Sequence, residues 1–206
     1  FPFLEPPEPR YIRDGFKLLH ELGAVDERER LTDLGRQLAR LPVDVRIGRM
    51  LLAGRDEHCL RELLIIASAL SVPDARERPL DRQQAADAKH KAFADEQSDF
   101  LGFVKLWTFY QEQAKHLSQA KLRKLCQTHF ISYVRMREWH DVHSQLHGLA
   151  LEMGMRLNDI DGGYESIHCA LLTGLLGNIA FKTDAHEYTG ARGITLHIFP
   201  GSALFK

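Results

Sequence analysis

Apolar residues recur at helical spacing along most of the chain, and the runs break at proline, glycine and capping residues. Over residues 9–22, Ile12, Phe16 and Leu19 mark one face, and Gly23 supplies a stop. Ala24 and Val25 read as a short extended piece. Thr32 stands where it can cap a second helix carrying Leu34, Leu38 and Leu41, which Pro42 ends. Asp44 can cap a third, with Ile47, Met50 and Leu51 on its apolar side. Between Cys59 and Ser71 the series Leu60, Leu63, Leu64, Ala67 and Leu70 predicts a buried-face helix, broken by Pro73. A charged loop, PDARERPLD, leads to a polar, alanine-rich helix over residues 85–93. Ser98 then caps an aromatic helix bearing Phe100, Phe103, Val104, Trp107 and Tyr110. A long helical stretch is expected over about residues 119–149, with His129 as the place where it would be interrupted.

Beyond Gly148 the pattern changes. NDIDGG at residues 158–163 is a turn-rich linker, and a helix is expected over residues 164–176. Three β-like runs follow at residues 178–182, 186–188 and 194–199, with Gly190 and Gly193 punctuating the last turn. The expected architecture is therefore mostly α. A winged-helix-type segment covers residues 1–54, and an all-helical domain with its own core covers 55–150. A linker and a small antiparallel β piece cover 151–206. The opening FPFLEPPEP reads as an extended linker, because residues before proline are pushed out of the α region. The closing GITLHIFPGSALFK is β-rich where further strands would be expected, so both ends read as cut points in a longer polypeptide.

Composition narrows the function classes. The chain has 206 residues, 44% of them hydrophobic and 27% charged, as in an ordinary globular protein. Its formal net charge of −1 gives no global attraction to nucleic acid, so any such contact must be local. No apolar run of bilayer length occurs, and the first residues lack a signal-peptide pattern. Cys59, Cys126 and Cys169 are odd in number and far apart, which argues against a disulfide framework or a zinc ribbon. Each reads as a small buried hydrophobe in a reduced compartment, and the cytoplasm is the expected location.

The pieces in this order resemble the C-terminal half of the DEAH-box RNA helicases, closest to the bacterial HrpA-type enzymes. FPFLEPPEPRYIRDGFKLLHELGAVD followed by LTDLGRQLARLPVDVRIGRMLL resembles the family's winged-helix segment. CLRELLIIASALSVPDARERP, FADEQSDFLGFVKLW and KLCQTHFISYVRMREWHDVHSQL resemble its helical, ratchet-like helicase-associated domain. ALLTGLLGNIAF and GARGITLHIFPGSALFK are similar to the start of its oligonucleotide-binding (OB) barrel, and the IFPGS ending points to the bacterial branch. The resemblance implies participation in ATP-driven RNA translocation or unwinding, with this half forming one wall of a channel for single-stranded RNA.

Two departures bear on chemistry. No G-x-x-x-x-G-K-[ST] loop occurs, and GLLGN at residues 174–178 lacks the lysine that would hold phosphates. No Asp-Glu-Ala-His string occurs either. No catalytic or cofactor-binding residue is therefore assigned here. ATP and magnesium are expected in motor domains of the same polypeptide.

Two groups of residues are candidates for RNA contact. Lys121, Lys124, Arg135 and Arg137, with Lys115 and Arg123, form a basic stripe on the long helical stretch. On a continuous helix Lys124 and Arg135 would lie three turns apart with an offset of about 20°. Such a row either follows a phosphate backbone or is a solvated helix face. The second group is Lys182, Arg192, His197 and Ser202 in the β-rich tail, with Phe181 or Tyr188 for base stacking. Arg192 sits in the glycine-flanked turn GARG, where a side chain is not buried, while Phe181, Phe199 and Phe205 are expected in a barrel core. His140, His143 and His147 share one helical face at a spacing that suits zinc, with Asp141 nearby. Without cysteines or a His-Glu-x-x-His pattern they read as surface histidines, and no metal is expected. Asp95, Glu96 and Asp99 fit the positive end of the helix dipole at Ser98. The rival reading of the whole chain is a protein-interaction module that recruits a helicase regulator with little RNA contact.

Overall fold

The computed structural model describes residues 6–184 and 186–205, with Arg192 described in its backbone alone. Nine α-helices lie among the described residues: α1 (Pro9–Glu21), α2 (Asp33–Leu38), α3 (Val45–Asp56), α4 (Leu60–Leu70), α5 (Gln83–His90), α6 (Asp99–His116), α7 (Gln119–Thr128), α8 (Tyr133–Glu152) and α9 (Tyr164–Leu172). They are followed by a three-stranded antiparallel meander, β1 (Phe181–Lys182), β2 (Tyr188–Thr189) and β3 (Thr195–Leu196). The chain is mostly α, as its periodicity requires.

Helix starts follow local chemistry. The hydroxyl of Thr32 accepts from the Gly35 amide at 3.0 Å, the Asp44 carboxylate from Arg46 N at 2.9 Å, and the Ser98 hydroxyl from Leu101 N at 3.3 Å. A short bridge between Val25 and Leu31 makes the small wing.

α4 organises everything else. From Leu63 to Ala69 its sequence LLIIASA is almost entirely apolar, and such a stretch is buried all round. One side joins Leu51 and Leu52 of α3, Leu146 of α8, and Ile167 and Leu171 of α9 in one core. The other side, through Ile65 and Ala69, joins Leu106 and Trp107 of α6, Leu122 and Cys126 of α7, and Met136 and Trp139 of α8 in a second core. Ser68 in the middle is fully buried, and its hydroxyl donates back to Leu64 O and Ile65 O at 2.6 and 2.9 Å. That hydroxyl also accepts from Trp139 Nε1 at 2.9 Å. α1 stands apart. It buries no residue fully, and Tyr11 and Ile12 remain 66% and 48% exposed.

The linker after α8 is pinned across the start of α4. Buried Glu62 accepts from Arg61 Nη2 at 2.8 Å and from Asn158 Nδ2 at 2.9 Å, and Asn158 Oδ1 accepts from Arg61 N at 2.9 Å. A Cβ on Gly162 would meet Cys59 Cβ at 2.5 Å, so only glycine lets the linker pass this close. Glu62→Ala leaves the Asn158 amide with Ile160 O and the Arg61 guanidinium with Asp161 as their remaining partners, and is expected to cost about 1–3 kcal/mol. Urea titration of the variant beside the wild type measures it.

The long stretch is two helices, interrupted at His129 as expected: residues 129–132 turn the chain and Phe130 takes a left-handed φ of 54°. Lys124 and Arg135 therefore do not share the face that a continuous helix would have given them. Three expectations are corrected. Phe181, Phe199 and Phe205 are 66%, 75% and 52% exposed rather than core, since strands of two residues have no second layer over them. Cys169 is exposed, whereas Cys59 and Cys126 are buried, and burial pushes those two thiols up to about 12 and about 11. Finally, His143 is a packing residue rather than a surface one, half-buried with its ring 4.5 Å from that of Trp107.

Candidate nucleic-acid interface

The candidate cations fall into a helical set and a terminal set. In the helical set, Ser118 caps α7, accepting from Lys121 N at 3.5 Å, and Leu122 and Cys126 turn one side of the helix into the second core. Lys121 and Lys124 are left exposed, with no ion-pair partner among the described residues. Arg123, between them, lies over the Tyr133 ring at 5.1 Å, bridging α7 to the first turn of α8.

The other two members are in different surroundings. Arg135 is half-buried, and its Nη1 donates to the Asp74 carbonyl at 2.9 Å, so it ties α8 to the loop before α5. Arg137 is exposed and lines a cleft of about 700 Å³ with Arg123 and Tyr133, facing Glu77, Glu138 and Asp141. Two guanidiniums against three carboxylates give that cleft no net attraction for phosphate. The structure thus brings Arg123, Tyr133 and Arg137 together and leaves Lys121 and Lys124 as the outward cations of this set.

In the terminal set, the register places Lys182 directly opposite Tyr188, and Tyr188 directly opposite Leu196. Lys182, His186, Tyr188, His197, Ile198, Leu204 and Phe205 line a cavity of about 440 Å³. His197 Nδ1 lies 3.0 Å from the His186 carbonyl, which can only accept, so Nδ1 carries the hydrogen and Nε2 is left to serve a ligand. The Arg192 side chain lies outside the described residues. Ser202 is not beside this cluster of cations. Its hydroxyl donates to Asp99 Oδ2 at 2.6 Å, and the Ala203 amide donates to Asp99 Oδ1 at 2.8 Å.

That clasp fixes the tail to the first residue of α6. α7 follows directly at the other end of α6, so the two cationic sets attach at opposite ends of an 18-residue helix, roughly 27 Å long at 1.5 Å per residue. His186 and Leu204 were not singled out by the sequence reading, although the alternation of His186 with Tyr188 is a strand-like signal, and Phe205 was read as barrel core. Asp99 was read as a helix-dipole residue, and its long-range role has no local signature.

The histidine face of α8 packs beside Trp107. His140 stacks on Trp107 with ring centroids 5.9 Å apart, and no group of three or more His, Cys, Asp or Glu among the described residues is placed to hold a metal ion. No helix among the described residues is long and apolar enough to cross a membrane.

Sequence profiles of the helicase-associated domain match this chain, the winged-helix part over residues 16–43 and the ratchet-like part over residues 44–103. Over 212 aligned residues, all of this chain and 16% of the relative, it is 51% identical to the ATP-dependent RNA helicase HrpA of Escherichia coli (strain K12). It is 47% identical to the HrpA homolog of Haemophilus influenzae, again covering all of this chain and 16% of the relative. Over 85% of its length it is 32% identical to the DExH-box ATP-dependent RNA helicase DExH1 of Arabidopsis thaliana, of which it covers 18%. The chain thus spans about a sixth of the length of the curated relatives it matches.

Proposed function

We infer the function of this chain from one premise: it belongs to the helicase-associated region of the DEAH-box helicases, with the winged-helix and ratchet-like parts in that order. The chain acts as an accessory wall that contacts single-stranded RNA while ATP and magnesium are handled by motor domains of the same polypeptide. The observation that carries this reading is the alignment of the whole of this chain, at 51% identity, with 16% of a protein named as an ATP-dependent RNA helicase. Each nucleotide-driven movement of the motor domains against a strand held on this wall becomes net translocation.

The cationic sets support the reading in physical terms. Lys121 and Lys124 on α7, and Lys182 with His197 on the terminal sheet, can meet phosphates without reading bases, which suits movement along any sequence. The terminal meander is the opening portion of an OB barrel, following a winged-helix part that matches over residues 16–43 and a ratchet-like part that begins at residue 44. Three cysteines without a disulfide fit a reduced, cytoplasmic setting.

Fluorescence anisotropy with a labelled ten-nucleotide oligouridylate tests the wall. If about four phosphates are neutralised, affinity falls by about 50-fold between 50 and 200 mM salt, because each single-strand contact contributes a slope of about −0.7. Lys121→Gln combined with Lys124→Gln flattens that slope by about one to one and a half. Absence of binding at low salt would instead favour the interaction module, which the net charge of −1 and the exposed Tyr11 and Ile12 of α1 support.

A further inference from the structure

We propose that the cleft between α7, the first turns of α8 and the segment around Glu77 docks a basic peptide segment of another protein. A lysine or arginine of that segment pairs with the carboxylates of the cleft, and a neighbouring apolar side chain rests on Val134. The inference is independent of the RNA reading above.

The cleft is preformed. Residues 75–77 are tied to residues 130–132 by the Arg76–Ile131 bridge, by Ser132 N donating to Ala75 O at 2.7 Å and by Glu77 N donating to Phe130 O at 2.8 Å. α7 closes the other side, joined to α8 where Arg123 lies over the Tyr133 ring. At about 700 Å³ the space lies in the range of ligand clefts, about 300–1,000 Å³.

Its lining is part apolar and part charged. Val134 is 64% exposed and stands beside buried Ile131. Val134, Glu138 and Asp141 recur at i, i+4 and i+7, so they share the outer face of α8, while Met136 and Trp139 turn into the second core. Among the described residues Glu77 and Glu138 have no ion-pair partner, and Asp141 meets only His140, at 3.9 Å.

That chemistry selects the occupant. A phosphate backbone meets more carboxylates than guanidiniums here and is repelled. A small cation or a polyamine would pair with the carboxylates but leave Val134 bare. An apolar side chain alone would desolvate the carboxylates without a counter-charge. A peptide that sets a lysine or arginine beside an apolar residue satisfies both parts, and an acidic residue further along it can meet Arg137.

The test is an NMR titration of the isotopically labelled 206-residue chain with the capped heptapeptide AKLKAEA and its charge-reversed control AELEAKA. The lysine peptide is expected to shift signals of Tyr133, Val134 and Glu138, and to bind about tenfold more tightly than the control. Glu138→Lys should weaken the lysine peptide about tenfold and strengthen the control. Val134→Ser should weaken the lysine peptide several-fold. Both side chains are exposed, so the thermal midpoints of the two variants should match the wild type. If the two peptides bind alike, or neither moves the cleft signals, the docking site is overturned. If dilution shifts the same signals and sedimentation shows a dimer, the occupant is a second copy of this chain and the proposal falls. It falls equally if the oligouridylate, rather than the lysine peptide, moves them.

Discussion

Trp139→Ala is expected to be the most damaging single truncation in the helical body, lowering stability by about 3–5 kcal/mol. The side chain is 2% exposed and sits between both faces of the second core. Its ring meets Phe103 edge-on at 6.0 Å and Trp107 at 5.2 Å, so removal costs dispersion contacts and opens a cavity at once. A polar loss is added, because Nε1 donates to Ile65 O at 3.1 Å and to Ser68 Oγ at 2.9 Å. Trp139→Phe keeps most of the volume and drops the donor, and should recover more than half of the loss. Guanidinium unfolding of both variants beside the wild type separates packing from hydrogen bonding. A Trp139→Ala loss below about 1 kcal/mol would contradict this packing.

The second large effect is acid sensitivity centred on His143. Burial against Trp107, and then the neighbouring His147 and His140, push its imidazole down to about 4. The native state thus holds the ring neutral, while the unfolded chain takes up a proton near pH 6.5. As pH falls from 6.5 towards 4, the unfolded state binds more protons and stability drops, and below about pH 4 this contribution is flat. Discounted for the part of the ring that solvent reaches, the loss is about 2 kcal/mol. His143→Phe keeps an aromatic ring on Trp107 and removes the titration. Denaturation at pH 7, 5.5 and 4.5 should therefore give a shallower decline for the variant, and parallel declines would show that His143 contributes none of it.

Much of the helical body was legible because its boundaries are set by short-range chemistry. Thr32, Asp44 and Ser98 cap where a hydroxyl or carboxylate one position before an apolar run can reach an amide. Pro42 and Pro73 stop helices for want of an N–H. The break between α7 and α8 was read at His129, but what fixes its geometry was not legible. It depends on Phe130 in a left-handed conformation, normally a glycine position, held by Arg82 over its ring at 5.5 Å and by Glu77 N donating to its carbonyl at 2.8 Å. Those partners are about 50 residues away in sequence. The terminal sheet was misjudged in its burial because Phe181 and Phe199 have the composition of a core without a layer to cover them.

For the candidate interface, residue type was informative and destination was not. Lys121, Lys124, Lys182 and His197 were recognisable as cations or hydrogen-bonding groups in plausible places. That Arg135 is spent on the Asp74 carbonyl, and Ser202 on Asp99, depends on pairings 61 and 103 residues apart, and no local pattern encodes them. The convergence of Lys182 with Tyr188 likewise depends on strand register.

The sharing of α4 between two cores has a mechanical consequence. A chain whose halves met across a separate, lubricated interface would hinge there and dissipate any push as internal rotation. Here a single hydrophobic helix belongs to both cores, so the winged-helix side and α6 cannot swing apart without breaking contacts on one face of α4.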